Sequence, residues 1–164
     1  MGLSVEWKGF DFSVLFQGAG SCDFFVGGWG VYPFQEGEAG NIMKVASNPA
    51  DRWISREISG TPDTENPNAI FPRLTYGNSQ NNNRASTHWL RNGRYLRLKN
   101  LTIGYTIPKK ISRKLLMEGA RIYFLGNNLA VWDSFGWWDP ELASDNGARY
   151  PIQKNFTLGL TLNF

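Results

Sequence analysis

The chain has 164 residues, a net charge of +3 and a single cysteine. This length leaves room for about one domain, the charge is too small to indicate a nucleic-acid partner, and one cysteine excludes an internal disulfide and a thiolate metal cage. Aromatic residues at 15%, charged residues at 19% and 18 glycines favour an aromatic, turn-rich β protein, and no apolar run reaches the roughly 18 residues of a membrane-spanning helix.

The first two predicted strands form a hairpin. Apolar and polar residues alternate over residues 3–8 and again over residues 10–17, with Leu15 as the one exception, and the strands are predicted at about 3–8 and 10–19. Lys8 and Gly9 separate the two runs, which is typical of a tight turn between antiparallel strands. The first residues lack the basic and apolar segments of a signal peptide. For an exported protein we therefore expect either that Met1 is not a natural residue or that the natural N-terminus lies upstream.

A long aperiodic stretch follows, at residues 18–87. It holds five of the eight prolines and many aromatic residues. Stretches of this length without a period are usually functional or disordered, and the aromatic residues argue against plain disorder. We therefore predict a folded loop here, with a short helix near residues 49–55.

The third predicted strand covers about residues 90–107. Its apolar positions alternate cleanly near the end, but Arg97 and Lys99 fall among them. A β-bulge, or an exit of the strand from a bilayer, near Lys99 would restore the pattern. The two basic side chains are themselves interpreted as solvated charges.

A short connection and another strand come next. Pro108 ends the third strand, residues 111–118 have the composition of one or two helical turns, and Gly119 is predicted to stop them. A fourth strand is predicted at about residues 120–131. A second aromatic-rich loop follows at residues 132–151.

The last predicted strand, at about residues 152–164, has the clearest pattern. Polar residues or glycine alternate with large apolar side chains at its end. Its ten final residues match the length that a tilted strand needs to cross a bilayer. The pattern predicts the closing strand of an outer-membrane β-barrel. The alternating apolar residues are Phe156, Leu158, Leu160, Leu162 and Phe164.

Short connections and long loops alternate along the chain, as they do in outer-membrane barrels. We therefore predict that the loops at 18–87 and 132–151 are extracellular and that the protein lies in the cell outer membrane, in contact with membrane lipid. Five strands are too few for a bacterial barrel, which needs at least about eight. We expect residues 1–164 to be the C-terminal portion of a longer protein.

Several segments occur in a succession that resembles a known family. They are VEWKGFDFSVLFQG (5–18), DRW (51–53), ENPNAIFPRLT (65–75), WLRNGRYLRLKNLTIGYTIP (89–108), GARIYFLGNNLAVW (119–132), DPEL (139–142) and YPIQKNFTLGLTLNF (150–164). Each alone is a weak signal, but in this order they resemble the C-terminal end of SusC/RagA-type TonB-dependent transporters of Bacteroidota. In that family DRW and ENPNA usually lie close together, whereas residues 54–64 separate them here.

The resemblance implies an all-β fold: an antiparallel transmembrane β-barrel segment, about five C-terminal strands of a barrel of roughly 22 strands, with long extracellular loops. It implies import of glycans or peptides without an enzymatic activity or a cofactor. The implied partners are a SusD-like surface lipoprotein, the outer-membrane assembly machinery and the TonB complex. The resemblance also implies an N-terminal plug that fills the barrel and an N-terminal region through which TonB acts. This sequence contains neither, so residues 1–164 are not expected to transport by themselves.

The last strand is one candidate site. Its alternating apolar residues and Phe164 resemble the β-signal that the assembly machinery reads, since an edge strand is recognised through its backbone and its alternate side chains. The plain alternative is an ordinary amphipathic strand of a soluble sheet.

The aromatic and acidic loop residues are the other candidates, for contact with ligand or lid. Flat rings stack on sugar faces, and carboxylates accept hydrogen bonds from hydroxyl groups. The alternative is an aromatic girdle at the bilayer surface or packing within a loop. Two acids on one loop rarely give the separation that a glycosidase needs, and we predict no catalytic and no metal site. The candidates are Trp53, Trp89, Trp137, Trp138, Asp139 and Glu141.

A soluble carbohydrate-binding β module with Trp-rich loops is the alternative function. The two hypotheses differ in what covers the apolar strand faces, which is lipid in a barrel and a second sheet in a sandwich. The residues that decide are Phe10, Phe12, Val14, Phe16, Leu101, Ile103, Tyr105, Leu158, Leu160 and Leu162.

Overall fold

The computed structural model of the chain describes residues 1–35, 42–59, 65–77 and 79–164. They divide into two compact units. The sheet unit comprises residues 1–23, 92–143 and 149–164, and the loop unit comprises residues 24–91 and 144–148. Among the described residues, no helix is both long enough and apolar enough to cross a membrane.

The strands are β1 (Gly2–Trp7), β2 (Phe10–Ala19), β3 (Asp23–Phe25), β4 (Leu90–Asn92), β5 (Tyr95–Ile107), β6 (Gly119–Asp133) and β7 (Asn155–Asn163). Short helices are α1 (Lys44–Ser47), α2 (Arg56–Ser59) and α3 (Lys109–Ser112), with 3₁₀ turns at Pro49–Asp51, Thr87–Trp89, Arg113–Leu115 and Pro140–Leu142. The sheet unit is built on an antiparallel sheet of five strands in the order β1-β2-β5-β6-β7.

Four predicted strands are confirmed to within a few residues by β1, β2, β6 and β7. The strand predicted at 90–107 is wrong in its first part, because β4 pairs with β3 and only β5 joins the main sheet. The Asn92 side chain accepts a hydrogen bond from Arg94 N at 2.9 Å, and Gly93 N donates to the Cys22 carbonyl at 2.7 Å. These local hydrogen bonds compete with the backbone hydrogen bonds between strands, and they separate β4 from β5.

The strand register aligns one residue from each strand in a row. Trp7 pairs with Phe10, Phe10 with Tyr105, Tyr105 with Ile122, and Ile122 with Leu160. Because side chains alternate between faces, this row fixes a single apolar face across all five strands. The rows beside it contribute Leu3, Val5, Phe12, Val14, Leu101, Ile103, Ile107, Phe124, Phe156, Leu158 and Leu162.

The apolar face is exposed. Trp7 is 65% exposed, Phe10 53% and Leu160 62%. In a β-sandwich these side chains would be covered by a second sheet, but the other sheet among the described residues consists of the short strands β3 and β4. The sheet therefore lacks the inner layer that the soluble alternative requires.

A β-bulge at Lys99 confirms the predicted break in the pattern. Leu15 pairs with Asn100 and the next residue of β2, Phe16, pairs with Leu98, so Lys99 is an extra residue. Since β2 alternates without interruption, Leu98 joins the apolar face beside Phe16. Arg97 moves to the polar face.

The predicted turn at Lys8 and Gly9 is also confirmed. The φ angles are 48° at Lys8 and 90° at Gly9, both left-handed, as the favoured two-residue hairpin turn requires. A Cβ atom on Gly9 would lie 2.8 Å from the Thr106 carbonyl oxygen, so glycine is needed for close approach as well as for φ.

The connection at 108–118 forms the predicted helical turns, α3 and the 3₁₀ turn after it. The prediction that Gly119 stops them is wrong, because the left-handed end residue is Leu116, with φ of 59°. Glu118 N already donates to the Asn163 carbonyl at 2.8 Å, and Gly119 is the first residue of β6.

The loop unit has a small core of its own. Its buried apolar side chains come from distant parts of residues 26–89, and a 3₁₀ turn at Pro49–Asp51 lies where a short helix is predicted. The remainder of that stretch, at 36–41, 60–64 and 78, lies outside the described residues. The core consists of Val26, Val31, Ala46, Phe71 and Trp89.

Candidate functional site

An ion-pair cluster lies on the polar face of the sheet unit, around Arg97. The Arg97 guanidinium pairs with the Asp139 carboxylate, and its Nε lies 2.6 Å from Glu141 Oε2 at an angle that makes the second contact an ion pair without a hydrogen bond. Lys99 Nζ lies 2.9 Å from Glu141 Oε1, and Gln17 Nε2 donates to the same oxygen at 3.0 Å. The cluster thus brings two cations onto two carboxylates.

Local structure positions each member of this cluster. The bulge turns Arg97 to the polar face, where its side chain is 3% exposed. Asp139 is the N-cap of the 3₁₀ turn Pro140–Leu142, and its Oδ1 accepts from Glu141 N at 3.0 Å. The cap therefore fixes the spacing between the Asp139 and Glu141 carboxylates, and both contact Arg97 at that spacing.

The residues just before the cluster form an aromatic group. The Phe135 ring centroid lies 5.4 Å from that of Trp137 and 4.8 Å from that of Trp138, and the two indoles lie 5.9 Å apart. Asp133 Oδ1 accepts from the backbone N–H groups of Phe135 and Gly136 at 2.9 and 2.8 Å. We call residues 133–142 the aromatic–acid loop.

The geometry gives the acids of this loop an anchoring role. Asp139 and Glu141 are 17% and 20% exposed in their side chains, and both are engaged by Arg97. Carboxylates neutralised in this way hold the loop on the sheet and leave Trp137 and Trp138 half-buried beside it. The contact of these four residues with a ligand stays a prediction. No group of acidic, histidine or cysteine side chains suited to a metal ion occurs in the described ranges.

The other two candidate tryptophans lie in the loop unit and differ from each other. Trp89 is 1% exposed, its Nε1 donates to the Asn82 carbonyl at 2.7 Å, and its ring lies 5.0 Å from that of Tyr32. Its environment is that of a core residue. Trp53 is 39% exposed and keeps a surface for contact.

Two titratable groups of the loop unit flank Trp89. Burial, with a smaller contribution from Arg91, holds the pKa of His88 below its ordinary value. Burial, aided by the negative charge of Asp145, raises the pKa of Tyr32. Both groups are therefore held in their neutral forms.

The candidate assembly strand, β7, is the outermost strand of the sheet. It pairs with β6 on one edge and with no other strand of the described chain on its second edge. Phe156 is 66% exposed, Leu158 75% and Phe164 82%, so apolar side chains and a free backbone edge are presented together. On the opposite face, the Tyr123 ring covers Gly159, where an added Cβ would lie 2.2 Å from the ring. The role in assembly stays a prediction.

Comparison with known proteins identifies the relatives of the chain. No protein-family profile matches it. It is 29% identical over 98% of its length to TonB-dependent receptor P26 of Formosa agariphila, and 25% identical over 98% to TonB-dependent receptor P3 of the same organism. The chain spans 16% and 15% of these receptors. The chain is related to TonB-dependent receptors.

Solved structures give the same relationship at the level of fold. The RagAB peptide importer in its open-open state matches 99% of the chain with a TM-score of 0.68 and 25% identity, and the chain spans 16% of that protein. Its closed-closed state matches with a TM-score of 0.65. For this chain, the predicted relationship to TonB-dependent transporters and the predicted localisation in the outer membrane are thereby confirmed.

Sequence reasoning missed the ion pairs on the polar face of the sheet unit. Arg97 is interpreted from sequence as a solvated charge, which is wrong because the bulge and the loop bury it. Asp11 and Arg121 form a further pair at 2.6 Å that crosses β5 above Gly104. The glycine at a polar-face position was the available signal, but its neighbours become known only with the register.

Proposed function

We propose that residues 1–164 form C-terminal strands of an outer-membrane TonB-dependent importer, a barrel of roughly 22 strands, and that the chain has no catalytic role. The carrying observation is the exposed apolar face that runs without interruption across the five-stranded sheet. The relationship to TonB-dependent receptors and to RagAB supports the same assignment.

The energetics of that face favour lipid as its neighbour. Moving one large apolar side chain from water to an apolar environment is worth about 1.5–3 kcal/mol, and the face repeats this gain on every strand. Large contiguous apolar surfaces are rare on soluble monomers and mark interaction sites. The hydrocarbon tails of lipids would cover the whole apolar face and remove it from water.

The edges of the sheet support membership of a larger barrel. Within the described chain, β1 and β7 each pair on one side only. Unpaired backbone groups are costly in hydrocarbon, which is why membrane strands occur in closed barrels. We infer that further strands cover both edges, and that the loops at 18–87 and 132–151 lie outside the cell.

The imported substrate is proposed to be an oligosaccharide or a peptide. RagAB is named as a peptide importer, and half-buried indoles such as Trp137 and Trp138 suit either a sugar face or an apolar side chain. We propose Trp53 as a third contact. The proposed partners are a SusD-like surface lipoprotein, the TonB complex and the outer-membrane assembly machinery.

Two substitutions in β7 test the membrane assignment in the full-length protein. Leu160→Asp places a charge on the apolar face, whereas Thr161→Asp places the same charge on the polar face of the same strand. We expect the first to reduce outer-membrane levels severely and the second to leave them near wild type, measured by membrane fractionation. Equal levels for the two variants would refute the lipid-facing assignment.

Uptake tests the transport assignment separately. Cells that carry the full-length protein should accumulate a labelled oligosaccharide or a labelled peptide, and accumulation should cease when TonB is removed. Accumulation of neither probe, with the protein correctly inserted, would exclude these two substrate classes.

A further inference from the structure

The connection between β5 and β6, residues 108–118, has a surface that the proposed function does not use. We call it the basic turn. It lies at the same end of the sheet as the Lys8–Gly9 turn and the end of β7, since Glu118 N donates to the Asn163 carbonyl. This is the end with short connections, which in outer-membrane barrels faces the periplasm.

The basic turn is strongly cationic. Its sequence holds four basic residues and a single acidic one, Glu118. All five charged side chains are exposed, and Lys110 and Lys114 form no salt bridge with any described residue. The basic residues are Lys109, Lys110, Arg113 and Lys114.

Exposed apolar side chains lie beside these charges. Ile111 of α3 is 52% exposed, and Leu115, four residues later in the 3₁₀ turn that follows, is 63% exposed. Ser112 between them is fully buried, so this position faces the body of the protein. A run of solvated charges alone would not require two large apolar side chains in water.

The two sides of the helix have different surroundings. Lys109 and Arg113 line a cavity of about 580 Å³ together with Gly119 and Asn163, which pair on the polar face of the sheet. Ile111 and Leu115 lie on the other side of Ser112. The apolar face of the sheet ends at Ile107 of β5, one residue before Pro108 and the start of this connection.

We propose that the basic turn is a membrane-interface anchor, with Ile111 and Leu115 at the hydrocarbon boundary and Lys110 and Lys114 bound to phosphate groups of anionic phospholipids in the periplasmic leaflet. Apolar side chains flanked by lysines bind at this depth in amphipathic interfacial helices, and each lysine near an anionic surface adds to the affinity. The proposal rests on the proposed function, because it requires the sheet to stand in a bilayer.

The test uses the full-length protein in nanodiscs of phosphatidylethanolamine, with and without phosphatidylglycerol. The variant Lys110→Gln/Lys114→Gln is compared with Lys109→Gln/Arg113→Gln, which removes the same charge from the same turn on its other side. At low salt we expect the first variant to retain less phosphatidylglycerol by roughly fivefold for each lysine, measured by native mass spectrometry. The control should retain it as the wild type does.

Further outcomes support or overturn the proposal. Ile111→Ser/Leu115→Ser should weaken retention of both lipids, and excess inorganic phosphate should not displace the phosphatidylglycerol. Equal loss in the two charge variants, or no preference of the wild type for phosphatidylglycerol, would overturn the anchor. A protein that inserts and transports but shows no such preference refutes the anchor alone, whereas a protein that is soluble without detergent refutes the proposed function.

Discussion

The sheet unit and the loop unit place their apolar side chains in opposite ways. In the sheet unit the large apolar residues of five strands lie on an exposed face, and charged groups such as Arg97 are buried. In the loop unit Phe71 and Trp89 lie inside a small core, each 1% exposed. Large apolar residues thus lie outward in the unit that is proposed to face lipid and inward in the loop unit.

The largest expected effect concerns the core of the loop unit. Trp89→Ala removes a fully buried ring that contacts Tyr32 and Phe71, and it should cost about 3–5 kcal/mol of local stability. Hydrogen exchange of the full-length protein should show lost protection in residues 24–91 and intact protection in β5 and β6. The control Trp53→Ala, at a 39% exposed position, should change little. Loss of protection in the sheet as well would remove the distinction between the units.

The second effect concerns the buried charge of the sheet unit. Arg97→Gln leaves the Asp139 and Glu141 carboxylates without their main cation, at a cost of about 3 kcal/mol. We expect faster hydrogen exchange in the aromatic–acid loop, residues 133–142. Arg121→Gln is the control, because its pair with Asp11 is 37% and 27% exposed, so solvent screens it and its loss should matter less than that of the buried pair. Equal effects would contradict the anchoring role.

A third effect concerns the Asp11–Arg121 ion pair, which lies close to the backbone of Gly104 on the polar face. A Cβ on residue 104 would lie 2.4 Å from Asp11 Oδ1 and 2.7 Å from Arg121 Nη2, so Gly104→Ala should displace this pair and lower the thermal unfolding midpoint slightly. In an Asp11→Ala background the same substitution should be neutral or stabilising, because alanine is favoured over glycine in strands by roughly 0.5–1 kcal/mol. The thermal unfolding midpoints of the four proteins measure this difference. An unchanged cost in the Asp11→Ala background would refute the explanation.

The smallest effect is a pH dependence confined to the loop unit. Burial, and secondarily Arg91, lower the pKa of His88 from its ordinary 6.5, so the unfolded segment binds a proton more readily than the folded one. The stability of the loop unit should therefore be complete above about pH 6.5 and decline as the pH falls below it. His88→Gln should flatten this decline in hydrogen-exchange measurements, while the protection of β5 stays independent of pH in both proteins.

The two units also differ in how much of them the sequence predicts. Strict alternation in β7, the turn at Lys8 and Gly9, and the broken pattern near Lys99 are local signals, and they predict the strands, the hairpin and the bulge. The core around Trp89 joins residues far apart in an aperiodic stretch, so no local pattern reveals which aromatic side chains are buried. The pairing of Arg97 with Asp139 depends on a bulge and a capped turn acting together, and sequence reasoning therefore missed it.

The bulge at Lys99 makes β5 tolerant of a change in length at this one position. Exchanging Lys99 for another amino acid leaves the count unchanged, and every side chain before it keeps its direction. Deleting it would make Leu98 and Asn100 consecutive, opposite the consecutive residues Phe16 and Leu15, so Leu98 would stay on the apolar face and Arg97 on the polar face. Deleting a regularly paired residue such as Leu101 would instead invert the side chains on one side of the gap. Evolution at Lys99 is thus free to substitute or to delete, whereas the regularly paired part of β5 is constrained against single-codon loss.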